Sequence, residues 1–503
     1  MKSLDKKYAA LFDTININKE VGRRSAMSGI ANLASQSLSL VITFGRAGIL
    51  ARLLTPDDYG VFTMVLVISV FAAIFKDLGL STATIREKVI THAQVSNLFW
   101  INCMVGFTSM MVVIALAPLM VWFYNDFRLQ PIACALSIGF LFAGLSVQHQ
   151  ALLKRQMRFR EIAWITVLST ILTTLLGIVI AWKGHKYWAL VWMNVGMNFL
   201  MMIGFWYCTK WVPSLPKKGV GTIKFLKIGL DVAGLNAFST LTKTIDKILA
   251  GKIAGASQLG FYSKGSQIPG LVSGQFRMAL FSVSLPALSA LQSEKERFSE
   301  FYYRFLSSIS WLTMTASAFC FLFANEIIVL YFGARWETST VYMRIFTLQS
   351  FLMPAITSLD QVPLALGFSR RYLAVGIIRS LSTIICVLIG VIYGGTIGIA
   401  IGVVVANLLS FCPFAMLCVK DSPVLISIYF RTIAGPLLVS LLIVGVFFLF
   451  KQYHPTTTIV SKITLMGGCI STMAVCFICC DYLGVGSKLR VISKIVEKVS
   501  VKS

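Results

Sequence analysis

The sequence predicts an all-α integral membrane protein of about fourteen transmembrane helices, arranged as two parallel lobes. Three observations predict it. Hydrophobic residues make up 57% of the 503-residue chain and charged residues only 13%, against roughly half and a quarter in soluble domains. Long apolar runs follow one another along the chain, separated by short turns that are basic or carry Pro and Gly. A stretch joining the first two runs returns about 200 residues later.

At about 20 residues per crossing, the runs place spans at 27–51, 60–80, 95–122, 130–150, 162–182, 187–207, 226–250, 262–290, 305–331, 340–366, 373–393, 396–418, 430–450 and 459–482. The first and seventh are amphipathic and contain charges. Residues 1–24 are polar and lysine-rich, and the run after Arg23-Arg24 is too long for a cleaved signal peptide and lacks a small-residue cleavage site. The first span is therefore expected to stay in the membrane. With a cytoplasmic amino terminus, the even-numbered connections carry the basic clusters: Arg86/Lys88, Lys154-Arg155/Arg158/Arg160, Lys210/Lys217/Lys218/Lys224/Lys227 and Arg370-Arg371. Most of the 45 Lys and Arg fall on that side, and the positive-inside rule then puts both termini in the cytoplasm.

The repeat joins Ile49-Leu50-Ala51-Arg52 and Asp58-Tyr59-Gly60-Val61-Phe62 to Ile248-Leu249-Ala250-Gly251-Lys252 and Leu259-Gly260-Phe261-Tyr262-Ser263. Linking span one to span seven in the same orientation implies two lobes related by an axis along the membrane normal, with the basic, proline-containing 208–225 segment between them. Such a design holds substrate between the lobes and alternates its access, so transport is the function class expected.

Charges inside spans cost about 2.5 to 3.5 kcal/mol each even on the lenient insertion scale, so they face a cavity or a partner. The cations are Arg46, Lys76, Lys243, Lys247, Arg277 and Arg379; the anions are Asp77, Asp231, Asp246, Glu326 and Asp360. Under the repeat, Arg46 falls on Asp246/Lys247 and Lys76 falls near Arg277. Basic groups from the first two spans of each lobe would then form a cationic cleft for a multi-oxygen anion, arginine binding two oxygens at once and lysine acting as a point charge. The bland readings stand beside this. Lys243 and Asp246, one helical turn apart, are able to neutralise each other, and Lys76-Asp77 near a helix end is able to reach the headgroups. Arg379 reads as an interfacial anchor. Glu326 and Asp360 are candidate proton or sodium sites, although a capped helix end or a buried hydrogen bond is the commoner reason for such residues. Pro118, Pro286, Pro354, Pro363 and Pro436 bend spans, and clusters such as Trp122-Phe123-Tyr124 are expected to anchor helix ends.

The net charge of +25 is spread in short clusters between apolar runs, which points to anionic lipid headgroups and an anionic substrate rather than to nucleic acid. Most of the 11 cysteines lie inside apolar runs without a CxxC pair, and the 4 histidines (His92, His149, His185, His454) are dispersed, so no metal site is expected. No GxxxxGK[ST] loop is present, and no nucleotide or other cofactor is expected.

Three stretches resemble the polysaccharide transporter (PST) family of the multidrug/oligosaccharidyl-lipid/polysaccharide (MOP) superfamily: Ala51-Arg52-Leu53-Leu54-Thr55-Pro56-Asp57-Asp58-Tyr59-Gly60, Phe75-Lys76-Asp77-Leu78-Gly79-Leu80-Ser81-Thr82-Ala83-Thr84-Ile85, and Ala151-Leu152-Leu153-Lys154-Arg155-Gln156-Met157-Arg158-Phe159-Arg160. Gly260-Phe261-Tyr262-Ser263 and the Arg277 to Ser289 segment are similar to its second-lobe motifs. The family holds O-antigen and exopolysaccharide flippases, including the colanic-acid-exporter type. The resemblance implies two six-helix lobes plus two C-terminal helices: a 1–24 cytoplasmic segment, an N-lobe over 25–207, the linker 208–225, a C-lobe over 226–418, spans thirteen and fourteen within 419–483, and a basic tail over 484–503. It also implies a non-enzymatic flippase of the bacterial inner membrane that moves undecaprenyl-pyrophosphate-linked repeat units to the periplasmic leaflet. By location, Arg46, Arg52 and Arg277 are its pyrophosphate arginines. The chain is expected to act as a monomer among membrane lipids, with the polymerase and chain-length regulator of the same pathway as candidate neighbours. A drug exporter of the same fold would be expected to carry anionic cavity residues instead. A membrane-embedded polymerase or glycosyltransferase would need a large outer loop with catalytic Arg/His or a carboxylate pair on a metal.

Overall fold

A computed structural model describes residues 21–75, 80–87, 90–217, 223–453 and 468; side chains are described from 35 onward, apart from 71–75, 223–239, 275–282 and a few isolated positions. Among the described residues every regular element is helical, as a chain in lipid requires, because each span must satisfy its own backbone hydrogen bonds. The helices are α1 (Val21–Leu53), α2 (Pro56–Phe75), α3 (Leu80–Arg86), α4 (His92–Tyr124), α5 (Leu129–Arg155), α6 (Phe159–Trp182), α7 (Trp188–Thr209), α8 (Ile223–Ala290), α9 (Lys295–Leu322), α10 (Ala324–Phe332), α11 (Ser339–Leu359), α12 (Gln361–Ala365), α13 (Ser369–Val419) and α14 (Ile426–Tyr453), with a 3-10 turn over Ala334–Trp336. Two of these hold a pair of expected spans each. Gly255 breaks α8 at φ 75°, and Gly394 with Gly395 breaks α13. Where the chain is described, spans one to thirteen lie largely on helical residues, with 76–79 of the second span outside the described residues, as is the fourteenth (459–482) apart from 468. Among the described residues, seven helices are long and apolar enough by composition to cross a membrane.

The described chain divides into two compact units between Gly260 and Phe261, within α8. In the first unit, α4 packs on α5, α5 on α7, α6 on α7 and α1 on α6, while α2 lies against α4 and α5. In the second, α9 packs on α11 and α14, and α11 on α13, around a core that includes Phe298, Tyr302, Met314, Leu359, Val362, Val375 and Tyr429.

Turn chemistry sets where the helices start and stop. Thr55 caps α2: its backbone N–H and hydroxyl both donate to Asp58 Oδ2 (2.9 and 2.7 Å), and the Asp58 N–H donates back to the Thr55 hydroxyl (3.2 Å). This reciprocal box satisfies donors that a helix start leaves open, and Pro56 sits at the first helical position, where no N–H is needed. The Thr55-Pro56-Asp57-Asp58 motif is therefore a helix start. Corresponding helix ends in the two units close identically. After α5, N–H groups of Gln156, Met157 and Arg158 donate to carbonyls of Leu152, Lys154 and Leu153. After α12, Leu366, Gly367 and Phe368 donate to Val362, Leu364 and Pro363 in the same pattern, with Met157 and Gly367 both at positive φ (54° and 80°).

Lipid is as apolar as a helix interface, so helices in a membrane pair through close backbone approach and polar contacts. Gly60 on α2 packs so tightly that a Cβ there would lie 1.7 Å from the Ala256 carbonyl oxygen, and one at Gly260 would lie 1.9 Å from that of Pro56. Only glycine allows this approach.

Candidate functional site

In the first unit, Arg46 lies half-buried on α1, two turns before the helix ends. Its guanidinium is within electrostatic range of the Tyr59 hydroxyl, and no carboxylate among the described residues pairs with it. Arg52, in the last turn of α1, is exposed. On α8, Lys243 is exposed, and Asp246 and Lys247 are half-buried. Lys76 and Asp77 lie outside the described residues, as do the side chains of Asp231 and Arg277.

Other arginines of this unit are committed to structure. Arg155, 5% exposed, donates from Nη1 to the carbonyls of Thr84 (2.8 Å) and Glu87 (2.6 Å), tying the end of α3 to α5. The Thr84 hydroxyl donates to Gln148 Oε1 (2.8 Å) at the same junction. Arg128 bridges the carboxylates of Asp57 and Asp126, joining the start of α2 to the α4–α5 turn. Burial alone would raise the Asp126 carboxyl. The hydrogen bonds from the Arg128 side chain and backbone, with its charge, outweigh that and hold Asp126 below the usual carboxylate range, while the same pairing raises Arg128.

Residues 211–217 form an extended strap bound to the first turns of α4. The Lys217 N–H donates to Asn97 Oδ1 (2.9 Å) and its carbonyl accepts from Asn97 Nδ2 (2.7 Å). The Ser214 N–H donates to the Ser96 hydroxyl (3.0 Å), its carbonyl accepts from Trp100 Nε1 (2.8 Å), and Trp211 is buried against Phe99 and His149.

In the second unit, Asp360 and Arg379 form a largely buried ion pair, Nη2 to Oδ1 2.9 Å, with side chains 10% and 23% exposed. Asp360 stands at the junction of α11 and α12, and Arg379 approaches from α13. Arg379 is thus no interfacial anchor. Ten residues into α13, it is turned toward the Asp360 carboxylate, which offsets the cost of its burial, a contact between two helices that spacing along the chain does not reveal. Glu326 falls in the first turn of α10, where a negative charge favours the helix start. Lys264 is buried with its ammonium 4.9 Å from the Phe332 ring centre and 5.8 Å from that of Trp336, a cation–π site. Within the same motif, Tyr262 is fully buried against Tyr342 and Phe346.

Sequence reasoning singled out neither Arg155 nor Lys264. Arg155 sits in a basic cluster that reads as cytoplasmic charge, and only its position at the last turn of a span hinted at an inward side chain. A further cation, Arg344, is exposed on α11, and no carboxylate among the described residues pairs with it. The first unit also contains a cavity of about 180 Å³ between α2, α5 and α7, lined by Ser69, Asn194, Asn198 and apolar side chains. Among the described residues no group of three or more His, Cys, Asp or Glu is placed to hold a metal ion.

The chain is similar over 390 residues, at 21% identity, to the lipopolysaccharide biosynthesis protein WzxC of Escherichia coli (strain K12), covering 76% of this chain and 77% of that protein. It is 22% identical over 354 residues to the teichuronic acid biosynthesis protein TuaB of Bacillus subtilis (strain 168), covering 70% and 72%. Its fold matches the lipid II flippase MurJ in an inward closed conformation, with a TM-score of 0.69 at 16% identity over 90% of this chain and 98% of that one. It also matches an inward-facing multidrug resistance MATE family transporter of the MOP superfamily, with a TM-score of 0.58 at 15% identity over 80% and 99%. The described residues therefore share the all-helical fold of these two solved membrane proteins. Residues 49–341, more than half the length, match the polysaccharide biosynthesis protein family, and the chain belongs to that family.

Proposed function

We propose that this protein is a flippase that carries a lipid-linked, anionic oligosaccharide across the bacterial cytoplasmic membrane for assembly of a surface polysaccharide. The observation that carries the reading is Arg46. It is a half-buried guanidinium on a membrane helix of a MOP-type fold, and no carboxylate among the described residues neutralises it. By contrast, Arg128 and Arg379 are each matched by acids, and Arg155 is held by two backbone carbonyls. A permanently charged, two-pronged donor in a membrane domain suits a pyrophosphate or uronate. The names of the relatives, which concern lipopolysaccharide and teichuronic acid biosynthesis, and of the lipid II flippase neighbour support the same substrate class.

In this reading the cargo is an undecaprenyl-pyrophosphate-linked repeat unit. It enters from the cytoplasmic leaflet and leaves to the periplasmic one, with Arg46, Arg52, Lys76, Lys243, Lys247 and Arg277 forming the cationic set. Both termini are cytoplasmic, 208–225 joins the two lobes, the protein works as a monomer and it makes or breaks no covalent bond. Asp77, Asp231, Asp246 and Glu326 are the candidates for ion coupling. Asp360, held by Arg379, is the weakest of the carboxylates for that role.

The test is deletion of the gene, with lipid extracts read by mass spectrometry, followed by complementation with Arg46→Ala. The expected result is accumulation of a lipid-linked oligosaccharide on deletion, and no rescue by a variant that reaches the membrane in normal amount. Absence of any accumulating intermediate would overturn the substrate class. Full rescue by Arg46→Ala would remove Arg46 from the site.

A further inference from the structure

We propose that the cavity between α2, α5 and α7 is a subsite for one uncharged sugar ring of the cargo, distinct from the cationic set; the inference rests on the flippase reading above. The three helices start at a common rim, where the Tyr187 N–H donates to Asp58 Oδ1 (3.2 Å) and Arg128 reaches Asp57. At 1.5 Å rise per residue, the lining positions lie between about 10 and 20 Å from that rim, near the middle of a hydrocarbon core about 30 Å thick.

Three polar groups occupy this depth. The Ser69 hydroxyl is 94% buried in the sense that only 6% of the residue is exposed, it lines the cavity, and it has no hydrogen-bond partner. The Asn194 carboxamide also lines the cavity and makes no hydrogen bond among the described residues. Asn198 spends one N–H on the Asn194 carbonyl (3.1 Å), which leaves its carboxamide oxygen and second N–H for the cavity. A buried hydroxyl without a partner costs free energy comparable to a lost hydrogen bond, so Ser69 calls for an occupant, and the two half-buried carboxamides beside it can both donate to and accept from one.

Charge decides what kind. No lining residue is ionisable, and an ion or phosphate at this depth would lack any counter-charge. Shape narrows it further. Leu66, Leu136 and Phe140 line the same cavity with apolar side chains, a mixed lining that matches a pyranose, which has C–H faces and a hydroxyl or acetamido edge. The volume of about 180 Å³ far exceeds what one water needs and falls below the ~300 Å³ usual for drug-sized ligands. That is room for a single ring. One flippase would then read its cargo twice, the anionic linkage through arginine and a neutral sugar through carboxamides.

The experiment is saturation-transfer difference NMR on the full chain in lipid nanodiscs, with N-acetylglucosamine, glucose and glucuronic acid as separate probes. The expected result is transfer to the two neutral sugars and little to glucuronic acid. Asn198→Leu, which removes the amide, and Ala143→Leu, which adds bulk to the cavity wall while Ser69 and Asn194 stay unsubstituted, should each reduce the signal at least fivefold. Ser69→Ala, a change of one atom that leaves the helix packing in place, should reduce it about twofold to fivefold, as loss of one hydrogen bond predicts. Transfer unchanged by Ala143→Leu or Ser69→Ala, transfer favouring glucuronic acid, or no transfer from any neutral sugar, as for a cavity holding water alone, overturns the subsite. The flippase reading fails separately. If deletion accumulates a lipid-linked oligosaccharide while Ala143→Leu and Asn198→Leu export it normally, the subsite falls and the flippase stands. If deletion accumulates none, the flippase reading falls whatever the NMR shows.

Discussion

Gly60 and Gly260 occupy matching places in the two copies of one repeated motif, and each packs against the backbone of the other copy: Gly60 on Ala256, Gly260 on Pro56. The exchange is reciprocal, as in an isologous interface, where residue i meets j and j meets i. A methyl group at either position would overlap a carbonyl oxygen, and two helix backbones would have to separate.

Gly60→Ala and Gly260→Ala should therefore each destabilise the protein by roughly 2–3 kcal/mol or more, at the upper end for overpacking. Since one separation of the helices relieves both clashes, the double variant should cost clearly less than the sum. Thermal unfolding of purified protein followed by tryptophan fluorescence reads both effects; strict additivity would show that the two contacts are independent.

Removing one member of the Asp360–Arg379 pair strands a charge in a mostly buried place. Arg379→Ala or Asp360→Ala should cost roughly 3 kcal/mol, below the full range for buried pairs because Arg379 retains some exposure. Replacing both, as in Asp360→Leu with Arg379→Met, should recover most of that loss. A double-mutant cycle on unfolding free energy measures the coupling, and a value near zero would mean the pair is solvated.

Arg155 reaches two carbonyls from one nitrogen, a geometry tied to its long planar head group. Arg155→Lys is expected to recover only part of what Arg155→Ala loses, because a point-like ammonium on a flexible side chain of shorter reach meets both carbonyls less well. Limited proteolysis should cut the 80–90 region at least several-fold faster in Arg155→Ala. Equal rates would place the restraint elsewhere.

Asp126 supplies a pH dependence with a definite sign. Its pKa is lower in the folded protein than in the unfolded chain, so its contribution is complete above the unfolded value of about 3.9 and is lost as pH falls through the folded value. Stability should thus decline below about pH 4, and Asp126→Asn should flatten that part of the curve while costing only about 0.5 kcal/mol at pH 7 for so accessible a pair. Unfolding midpoints measured from pH 3 to 7 check it.

Asn97 clamps both backbone groups of Lys217. Asn97→Ala should expose the Lys217 peptide bond to trypsin, with cleavage there at least several-fold faster than in the unaltered protein. An unchanged digest would assign the docking of the strap to Trp211 and Ser214.

Much of the architecture was legible because apolar run length and charge placement are local properties that the bilayer reads directly. Where they are described, the first thirteen expected spans lie largely on helical residues, and the repeat first seen in Gly60 and Gly260 reappears in the matching bonds after α5 and α12. The partners of the embedded charges were not legible. Arg379 looked like an anchor because Arg370-Arg371 lies nearby in sequence, yet its counter-ion comes from another helix, and Arg155 was hidden in a basic cluster. The uncharged cavity gave no signal at all, since Ser and Asn inside apolar runs are common and only folding brings Ser69 beside Asn194 and Asn198.

Sequence alone thus determined the solvent of this chain, its helices and its twofold design, for these follow from hydrophobicity at fixed helical periods and from a repeat visible in one dimension. Tertiary structure alone decided which cation is matched by a carboxylate and which by backbone carbonyls, and where hydroxyl and carboxamide share a void. Pairing energies fall off over a few ångströms, and those distances exist only between helices that are far apart along the chain.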